Sequence, residues 1–367
     1  MSDLIYKVAL TLVPRIGVVT GKSLISYCGG AEAVFREKKA KLLKIPGIGE
    51  QAVQAVLNFT DFDRAQEEVA FIEENHIQPL FYTDKAYPQR LLQCYDSPLM
   101  LYYKGNTDLN TSKILAMVGT RKATEYGKDM CAKIVEGFKN TDVLIVSGLA
   151  YGIDTYSHKA ALDNNLNTVG VLGHGLDRVY PATNKPLSEK MLQSGGLLTT
   201  YMKNTNPDRE NFPQRNRIVA GISDAVLVVE AAAKGGALLT AEYAIEYNRD
   251  VFAVPARLTD MQSEGCNRLI KINKAALVQD AEDIKYIMNW QSDVKPTGQV
   301  IKDLFSSLSA EHQIIFDILH EKGEADIDLL LLKTGFMPSM IAKLLLDMEF
   351  DGIIKCLPGK IYRLTVK

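Results

Sequence analysis

The chain has 367 residues, in which 42 lysines and arginines nearly balance 44 aspartates and glutamates, for a formal net charge of −2. With 47% hydrophobic and 23% charged residues, the composition excludes a disordered chain, a fibrous chain and a polycation. No apolar stretch reaches the ~18–20 residues of a membrane-spanning helix, and no secretory signal is visible. The five cysteines are scattered without a CxxC pair, which predicts a reducing, cytoplasmic environment and neither disulfides nor a metal site.

Residues 1–75 are predicted to form a small helical domain. Two stretches, 12–22 and 42–50, each place apolar residues and two glycines before a helical pattern, as in helix-hairpin-helix units. Such glycines let the backbone N–H groups at a helix start approach a DNA phosphate. Two plain helical turns are the alternative interpretation, and the acidic residues between Asp61 and Glu74 weigh against retained DNA binding.

Residues 80–288 alternate apolar strands with amphipathic helices. Strands are predicted at 114–119, 143–148, 168–173, 225–230 and 251–255, and helices at 128–139, 156–164 and 238–248. Continuous apolar strands that alternate with helices predict a parallel sheet covered on both faces, in a doubly wound, Rossmann-like α/β domain. Ligands of such sheets bind at the carboxyl ends of the strands.

A linker with proline and glycine is predicted at 289–304, and a winged helix at 305–367. The winged helix comprises three helices and a hairpin, over 310–320, 326–333, 338–349 and 352–364, with a turn at Pro358-Gly359. Acidic residues outnumber basic ones in this module. Because DNA is a polyanion, this charge favours contact with a protein over insertion into a DNA groove.

Four segments of the central domain carry residues suited to a phosphate-rich ligand, and all four are expected to be loops. Gly119, Thr120 and Arg121 follow one predicted strand, and Ser147 and Gly148 follow the next. The other two segments supply an aromatic ring, an amide, cations and glycines, at Phe212, Arg215, Asn216, Arg217, Lys234, Gly235 and Gly236. Helix N-termini and guanidinium groups bind anions, and a basic track beside an aromatic ring holds single strands. We therefore expect the cations to converge on one cradle for a polynucleotide.

Structural roles are the alternative for several of these residues. Arg215 or Arg217 could instead pair with Asp224 or Glu230. Asp154 is predicted to cap the helix that carries His158, and a histidine in that setting is more often packed than catalytic. No nucleophile-and-base pair and no GxGxxG pattern accompanies the four segments.

Six motifs follow one another within residues 80–280. They are GTRKATEYG (119–127), SGLAYGIDTYSHKAAL (147–162), TVGVLGHGLDRVYPATNKPL (168–187), GGLLTTY (195–201), NFPQRNRIVAGIS (211–223) and EAAAKGGALLTAEYA (230–244). Together they resemble the DprA/Smf family of bacterial DNA-processing proteins. The resemblance implies a homodimer without catalytic activity or cofactor. It also implies that the protein binds and protects incoming single-stranded DNA and loads the RecA recombinase during natural transformation.

The resemblance also assigns site residues. Arg121 falls on the arginine of the family's Gly-[Ser/Thr]-Arg motif, and Lys234 on the lysine before its Ser-Gly motif. Arg215 and Arg217 fall in Phe-Pro-x-Arg-Asn-Arg, with Phe212 as its aromatic residue. Gly235 stands where the family commonly has Ser, which leaves one hydroxyl contact without a counterpart. The flanking helical and winged-helix segments are similar to domains often found in the family.

Two other functions fit parts of the sequence. Gly235-Gly236 with Glu242 resembles the Pro-Gly-Gly-x-Gly-Thr-x-x-Glu signature of nucleoside-monophosphate phosphoribohydrolases, which are enzymes. Lys234 replaces its proline, and Leu238 and Leu239 replace its Gly-Thr, which removes the phosphate cradle. A protein adaptor that acts mainly through the winged helix is the third hypothesis.

Residues 267–270 are the candidate surface for the homodimer.

Overall fold

The computed structural model describes residues 3–290, 309–350, 353–357 and 361–364. The chain forms two compact units, Met1–Gln291 and Ser292–Lys367. The strands of the first unit are β1 (Gln78–Phe81), β2 (Met100–Gly105), β3 (Ile114–Gly119), β4 (Leu144–Ser147), β5 (Thr168–Leu172), β6 (Gly195–Thr199), β7 (Ala225–Glu230), β8 (Asp250–Ala253) and β9 (Ala276–Leu277). They form one sheet in the order β1-β2-β6-β5-β4-β3-β7-β8-β9. β1 and β2 are antiparallel to their neighbours, and the pairs from β6 to β9 are parallel.

Helices cover both faces of this sheet and form the N-terminal segment. They are α1 (Asp3–Leu12), α2 (Val18–Cys28), α3 (Ala31–Arg36), α4 (Lys39–Leu42), α5 (Glu50–Leu57), α6 (Phe62–Glu74), α7 (Gln89–Leu92), α8 (Glu125–Glu136), α9 (Ile153–Asp163), α10 (Lys185–Met191), α11 (Asn211–Ile222), α12 (Gly236–Glu246), α13 (Glu264–Lys271) and α14 (Ala281–Ile287). A short 3-10 turn at Ala182–Asn184 precedes α10.

Alternation along the strands builds a core on each face of the sheet. In β3, Ala116 and Val118 belong to the cluster that contains α11 and α12, whereas Leu115 and Met117 belong to the cluster that contains α8 and α9. All four residues are buried. Apolar strands covered on both faces are typical of a doubly wound α/β fold, and that prediction is confirmed.

The N-terminal helical segment shares its core with the edge of the sheet. Leu10, Leu24 and Ile72 pack in one cluster with Phe81 of β1 and Met100 of β2. The helices of the two predicted hairpins are present as α1–α2 and α4–α5. The helical segment and the sheet therefore form a continuous body rather than two separately packed ones.

Two parts of the central domain differ from the sequence prediction. Residues 211–218, expected to be a loop, form the start of α11, where Arg215, Ile218, Val219 and Ile222 bury one face at helical spacing. The prediction also missed β1, β2, β6 and β9. β6 begins with two glycines and β9 has only two residues, so neither carries the long apolar run on which the other strands were predicted.

The second unit contains helices and a small sheet among its described residues. They are α15 (Ala310–Lys322), β10 (Glu324–Asp326), α16 (Ile327–Thr334), α17 (Pro338–Phe350), β11 (Ile354–Leu357) and β12 (Ile361–Leu364). The sheet is antiparallel, in the order β10-β12-β11. Ser309 and Asp326 cap α15 and α16 by accepting backbone N–H bonds.

These helices and hairpin strands occupy the predicted positions, and β10 is an addition. The predicted turn at Pro358-Gly359 lies outside the described residues, as does the linker from residue 291 onward. Trp290, assigned to the linker, instead packs in the core of the first unit, with its ring centre 6.4 Å from that of Phe138.

No single helix among the described residues is long and apolar enough to span a membrane. Two consecutive helices, Ile327–Thr334 and Pro338–Phe350, are together long and apolar enough, but the chain bends by 115° between them.

Candidate nucleic-acid interface

A cavity of about 300 Å³, here called cavity A, opens at the carboxyl ends of β3, β4 and β7. The chain moves from β3 to β4 on one side of the sheet and later returns to β7 on the other side, so the strand order reverses at β3. Open α/β sheets bind ligands at this kind of position. Ten of the twelve predicted site residues line cavity A, namely Gly119, Thr120, Arg121, Gly148, Phe212, Arg215, Asn216, Lys234, Gly235 and Gly236.

Hydrogen bonds to neighbouring strand ends fix the loop between β3 and α8. The Thr120 amide donates to the Glu230 carbonyl at 2.7 Å. The buried Glu230 carboxylate accepts bonds from the hydroxyl and the amide of Thr124, at 2.5 and 2.9 Å. This leaves Arg121 exposed at the mouth of cavity A, with its guanidinium carbon 4.8 Å from the centre of the Phe212 ring. The ring therefore orients a solvent-facing cation.

Lys234 and the start of α12 form the opposite wall. Lys234, Gly235 and Gly236 are exposed, and no side chain caps the N-terminus of α12. The first N–H groups of a helix have no partner within the helix, so they are available to an anion. Among the described residues, neither Lys234 nor Arg121 has a carboxylate within salt-bridge distance.

Arg215 differs from these two cations because it is buried. Its Nη1 lies 3.6 Å from Oδ2 of Asp154 and donates to the Val171 carbonyl at 3.3 Å. Its Nε is buried with no hydrogen-bond partner among the residues that the structure covers. Burial raises the pKa of the Asp154 carboxyl, and the Arg215 guanidinium opposes that rise. Arg215 therefore forms the floor of cavity A rather than an exposed contact.

The structural roles considered for Arg215, Arg217 and Asp154 in the sequence analysis named the wrong partners. Asp224 pairs with Arg90 at 2.5 Å, not with Arg215 or Arg217. Asp154 does not cap α9, because the N-cap residue is Gly152. Its carboxylate instead accepts a bond from the Ala150 amide at 3.3 Å and faces Arg215.

Gly148 is required by the position of Arg215. A Cβ at Gly148 would lie 1.1 Å from Nη1 of Arg215, so no other residue fits without moving that arginine. Gly235 is the opposite case. A Cβ there has nothing within 4 Å, so the family's serine would fit at this position.

Two predicted site residues do not reach cavity A. Ser147 is fully buried and donates to the Met117 carbonyl at 2.5 Å. Arg217 points to the other side of α11, where it lines a second cavity of about 520 Å³, here called cavity B, and pairs with Asp96. Consecutive residues of a helix point in directions about 100° apart, so Asn216 and Arg217 line different cavities.

Sequence reasoning missed two exposed tyrosines beside cavity A. Tyr151 is 46% exposed and Tyr180 is 42% exposed. Both line a small hollow that shares Arg121, Gly148 and Phe212 with cavity A. The Tyr180 ring centre lies 6.4 Å from that of Phe212. Both tyrosines stand in the motifs quoted above, but nothing in those motifs indicates which aromatic residue is exposed.

Neither His158 nor Glu242 lines cavity A. His158 is buried, with Nδ1 2.6 Å from the Thr168 hydroxyl, and burial lowers its pKa to about 3. It is thus a neutral packed residue. Glu242 is exposed on α12. The described residues contain no cluster of His, Cys, Asp or Glu that could hold a metal ion.

Comparisons with known proteins match the central domain and most of the chain. Residues 78–289 match the family model described as DNA recombination-mediator protein A. The DNA processing protein DprA of Streptococcus pneumoniae is 37% identical over 271 residues, which cover 68% of this chain and 95% of that protein. A putative DNA processing protein DprA of Mycobacterium tuberculosis is 32% identical over 354 residues, covering 92% of this chain and 88% of that one.

Two solved structures share the fold. The X-ray structure of DprA from Streptococcus pneumoniae has a TM-score of 0.66 at 33% identity, and the match covers 77% of this chain and 97% of that one. A structure of DNA processing protein A from Helicobacter pylori, described for its single-stranded DNA binding mode, has a TM-score of 0.53 at 29% identity. That match covers 58% of this chain and 95% of the other.

Proposed function

The chain belongs to the DNA recombination-mediator protein A family, also called DprA/Smf, and on that premise we propose that it binds single-stranded DNA in cavity A. The observation that carries the proposal is the convergence of Arg121, Arg215 and Lys234 around one cavity at the switch point of the sheet. The net charge of the chain is only −2, so binding to a polyanion needs this local concentration of cations.

Each wall of cavity A has a role in this proposal. Arg121 and Lys234 bind backbone phosphates, together with the N–H groups at the start of α12. The buried Arg215 keeps the floor positive although its charge is partly balanced by Asp154. Tyr151 and Tyr180 offer exposed rings on which bases stack, a mode that accepts any base sequence.

We propose a binding protein rather than a phosphoribohydrolase. Hydrolysis of a glycosidic bond needs a carboxylate that can reach the sugar. The carboxylate in cavity A, Asp154, faces Arg215, and Glu242 lies outside the cavity. Release of free base from AMP, abolished by Glu242→Gln, would reverse this assignment.

A homodimer formed at the β9 edge of the sheet is part of the proposal. β9 ends the sheet. Leu277 lies in it, and Ile272 and Tyr286 precede and follow it in the chain; they are 46%, 47% and 75% exposed. An edge strand with exposed apolar neighbours is a typical pairing surface. Within the sequence candidate 267–270, Leu269 is buried and Asn267 bonds Ala256, so the favoured surface moves to these three residues.

We further propose that the protein protects incoming DNA in the cytoplasm and transfers it to the RecA recombinase. The support is family membership, which associates this fold with recombination mediation. Addition of the protein should speed the start of RecA ATPase activity on single strands coated with a single-strand-binding protein, and an unchanged lag would contradict the transfer role.

The binding proposal is tested by fluorescence anisotropy with a single-stranded oligonucleotide of ~20 residues and its duplex, over a series of salt concentrations. Arg121→Ala should weaken binding to every single-stranded sequence alike and reduce the slope of log K against log salt by about 0.7, the loss of one phosphate contact. Lys190→Ala, which removes an exposed lysine on α10, is the matched control. Equal affinity and slope for Arg121→Ala and the control would remove cavity A from the binding site.

A further inference from the structure

Cavity B lies on the opposite side of α11 from cavity A and is the larger of the two. Its lining includes Asp96, Gln214, Arg217, Tyr243 and Tyr247. α11 thus contributes Phe212, Arg215 and Asn216 to one cavity, and Gln214 and Arg217 to the other. The two cavities are separated by the width of α11, about 10–12 Å, so a strand that leaves cavity A has to cross this helix to reach Arg217.

Arg217 is held by one carboxylate and one ring. Its guanidinium carbon lies 4.6 Å from the centre of the Tyr243 ring, and its Nη1 donates to Oδ2 of Asp96. The other oxygen of Asp96 accepts the Tyr247 hydroxyl at 2.7 Å. The Arg217 side chain remains 39% exposed. Asp96 is only 17% exposed, but Arg217 faces the cavity, so a phosphate, which accepts two parallel bonds from a guanidinium, competes with the carboxylate for Arg217.

An exposed ring lies beside cavity B. Tyr243 and Tyr247 line the cavity and are buried, whereas Tyr95, outside the lining, is 63% exposed, with its ring centre 6.0 Å from that of Tyr247. Stacking on such an exposed ring accepts any base. Two carboxylates, Asp96 and Glu210, also line the cavity. In the free protein they oppose the entry of a phosphate.

We propose that cavity B is a second subsite for the DNA strand held in cavity A, at which a backbone phosphate replaces Asp96 as the partner of Arg217. Asp96 then sets the affinity of this subsite, because it competes with the phosphate for one guanidinium. The inference rests on the proposed function of cavity A, since the strand reaches cavity B from there.

The test compares oligothymidylates of two lengths, about 4 nucleotides, which fill one cavity, and about 16 nucleotides, which extend over both. Asp96→Asn removes the competing charge and keeps an oxygen for the Tyr247 hydroxyl. It should tighten binding of the long oligonucleotide by about 5-fold or more and steepen its salt slope by about 0.7, because Arg217 gains a phosphate. The short oligonucleotide should bind with unchanged slope.

Two further variants separate an effect on the subsite from an effect of Asp96→Asn on folding. Arg217→Gln in the Asp96→Asn background should cancel the gain in affinity for the long oligonucleotide, which makes the two changes non-additive. Glu210→Gln alters an exposed residue before α11 that makes no capping bond, and it should also favour the long oligonucleotide. The second subsite is overturned if Asp96→Asn binds both oligonucleotides with the affinity of the wild type. It is also overturned if Asp96→Asn binds the long oligonucleotide more weakly while Glu210→Gln has no effect.

Arg121→Ala separates this inference from the function of cavity A. If Arg121→Ala weakens both lengths while Asp96→Asn and Glu210→Gln change neither, cavity A binds DNA and cavity B does not. If Arg121→Ala leaves both lengths unchanged, the proposed function itself fails.

Discussion

Cavities A and B lie on the two sides of one helix, and the solvent-accessible arginine of each has a different partner. In cavity A, Arg121 stacks on Phe212 with no carboxylate partner among the described residues, whereas in cavity B Arg217 is paired with Asp96. The arginines belong to motifs that sequence analysis assigned to one cradle. The difference shows that an arginine is free to bind a ligand only where the fold places no carboxylate from a distant part of the chain beside it.

The largest effect is expected at Gly148, where cavity A tolerates no side chain. Gly148→Ala would bring a methyl group onto the Arg215 guanidinium and force it from the floor of the cavity. We expect a loss of about 1–3 kcal/mol in the free energy of unfolding, as for overpacked cores, and a loss of single-strand binding greater than that of Arg121→Ala. Urea denaturation and anisotropy measure the two effects. Gly235→Ala is the control for stability, since its Cβ meets open space. Equal free energies of unfolding for the two variants would contradict the role of Arg215.

The exposed tyrosines test whether cavity A stacks bases. Tyr151→Ala and Tyr180→Ala should each reduce the affinity for single strands by about 1–3 kcal/mol, the range found for loss of one stacked base. The salt slope should not change, because no phosphate contact is lost. If the slope falls with the affinity, the tyrosines act by positioning Arg121 instead of by stacking.

A smaller effect is expected from the contact between Phe212 and Arg121. Phe212→Leu should weaken binding by about 0.5–1 kcal/mol, because the guanidinium loses its aromatic platform. In the Arg121→Ala background the same change should have almost no effect. Full additivity of the two substitutions in anisotropy titrations would show that Phe212 acts on DNA directly.

The effect that is smallest at neutral pH is a pH dependence of stability from the buried His158. Burial lowers its pKa to about 3, below the ordinary value near 6.5. The unfolded chain therefore binds a proton that the folded chain does not, and stability falls as the pH drops from about 6.5 towards 3, by up to about 1.4 kcal/mol per unit.

Urea denaturation of His158→Gln tests whether the lowered pKa of His158 causes this pH dependence. It should flatten the pH dependence of the unfolding free energy over that interval. The raised pKa of Asp154 acts in the opposite direction, but it is present in both proteins and cancels in the comparison. Parallel pH curves for the two proteins would contradict the neutral, buried histidine.

Local sequence patterns predicted those parts of the fold that depend on local chemistry. β3 and β7 were predicted to the residue because long apolar runs can be buried only on both faces of a sheet. α11 was missed since its polar N-terminal half conceals the buried face that Arg215, Ile218 and Ile222 share. A side chain's partner across the fold could not be predicted either, because Asp96 precedes Arg217 by 121 residues.

Lysine protection measures the central claim most directly. The protein is treated with an amine-acetylating reagent, with and without a saturating single-stranded oligonucleotide, and the modified lysines are quantified by mass spectrometry. Lys234, exposed at cavity A, should be strongly protected by DNA, whereas Lys190, exposed on α10, should react at the same rate in both samples. If the oligonucleotide binds but Lys234 reacts as fast as Lys190, the strand does not occupy cavity A.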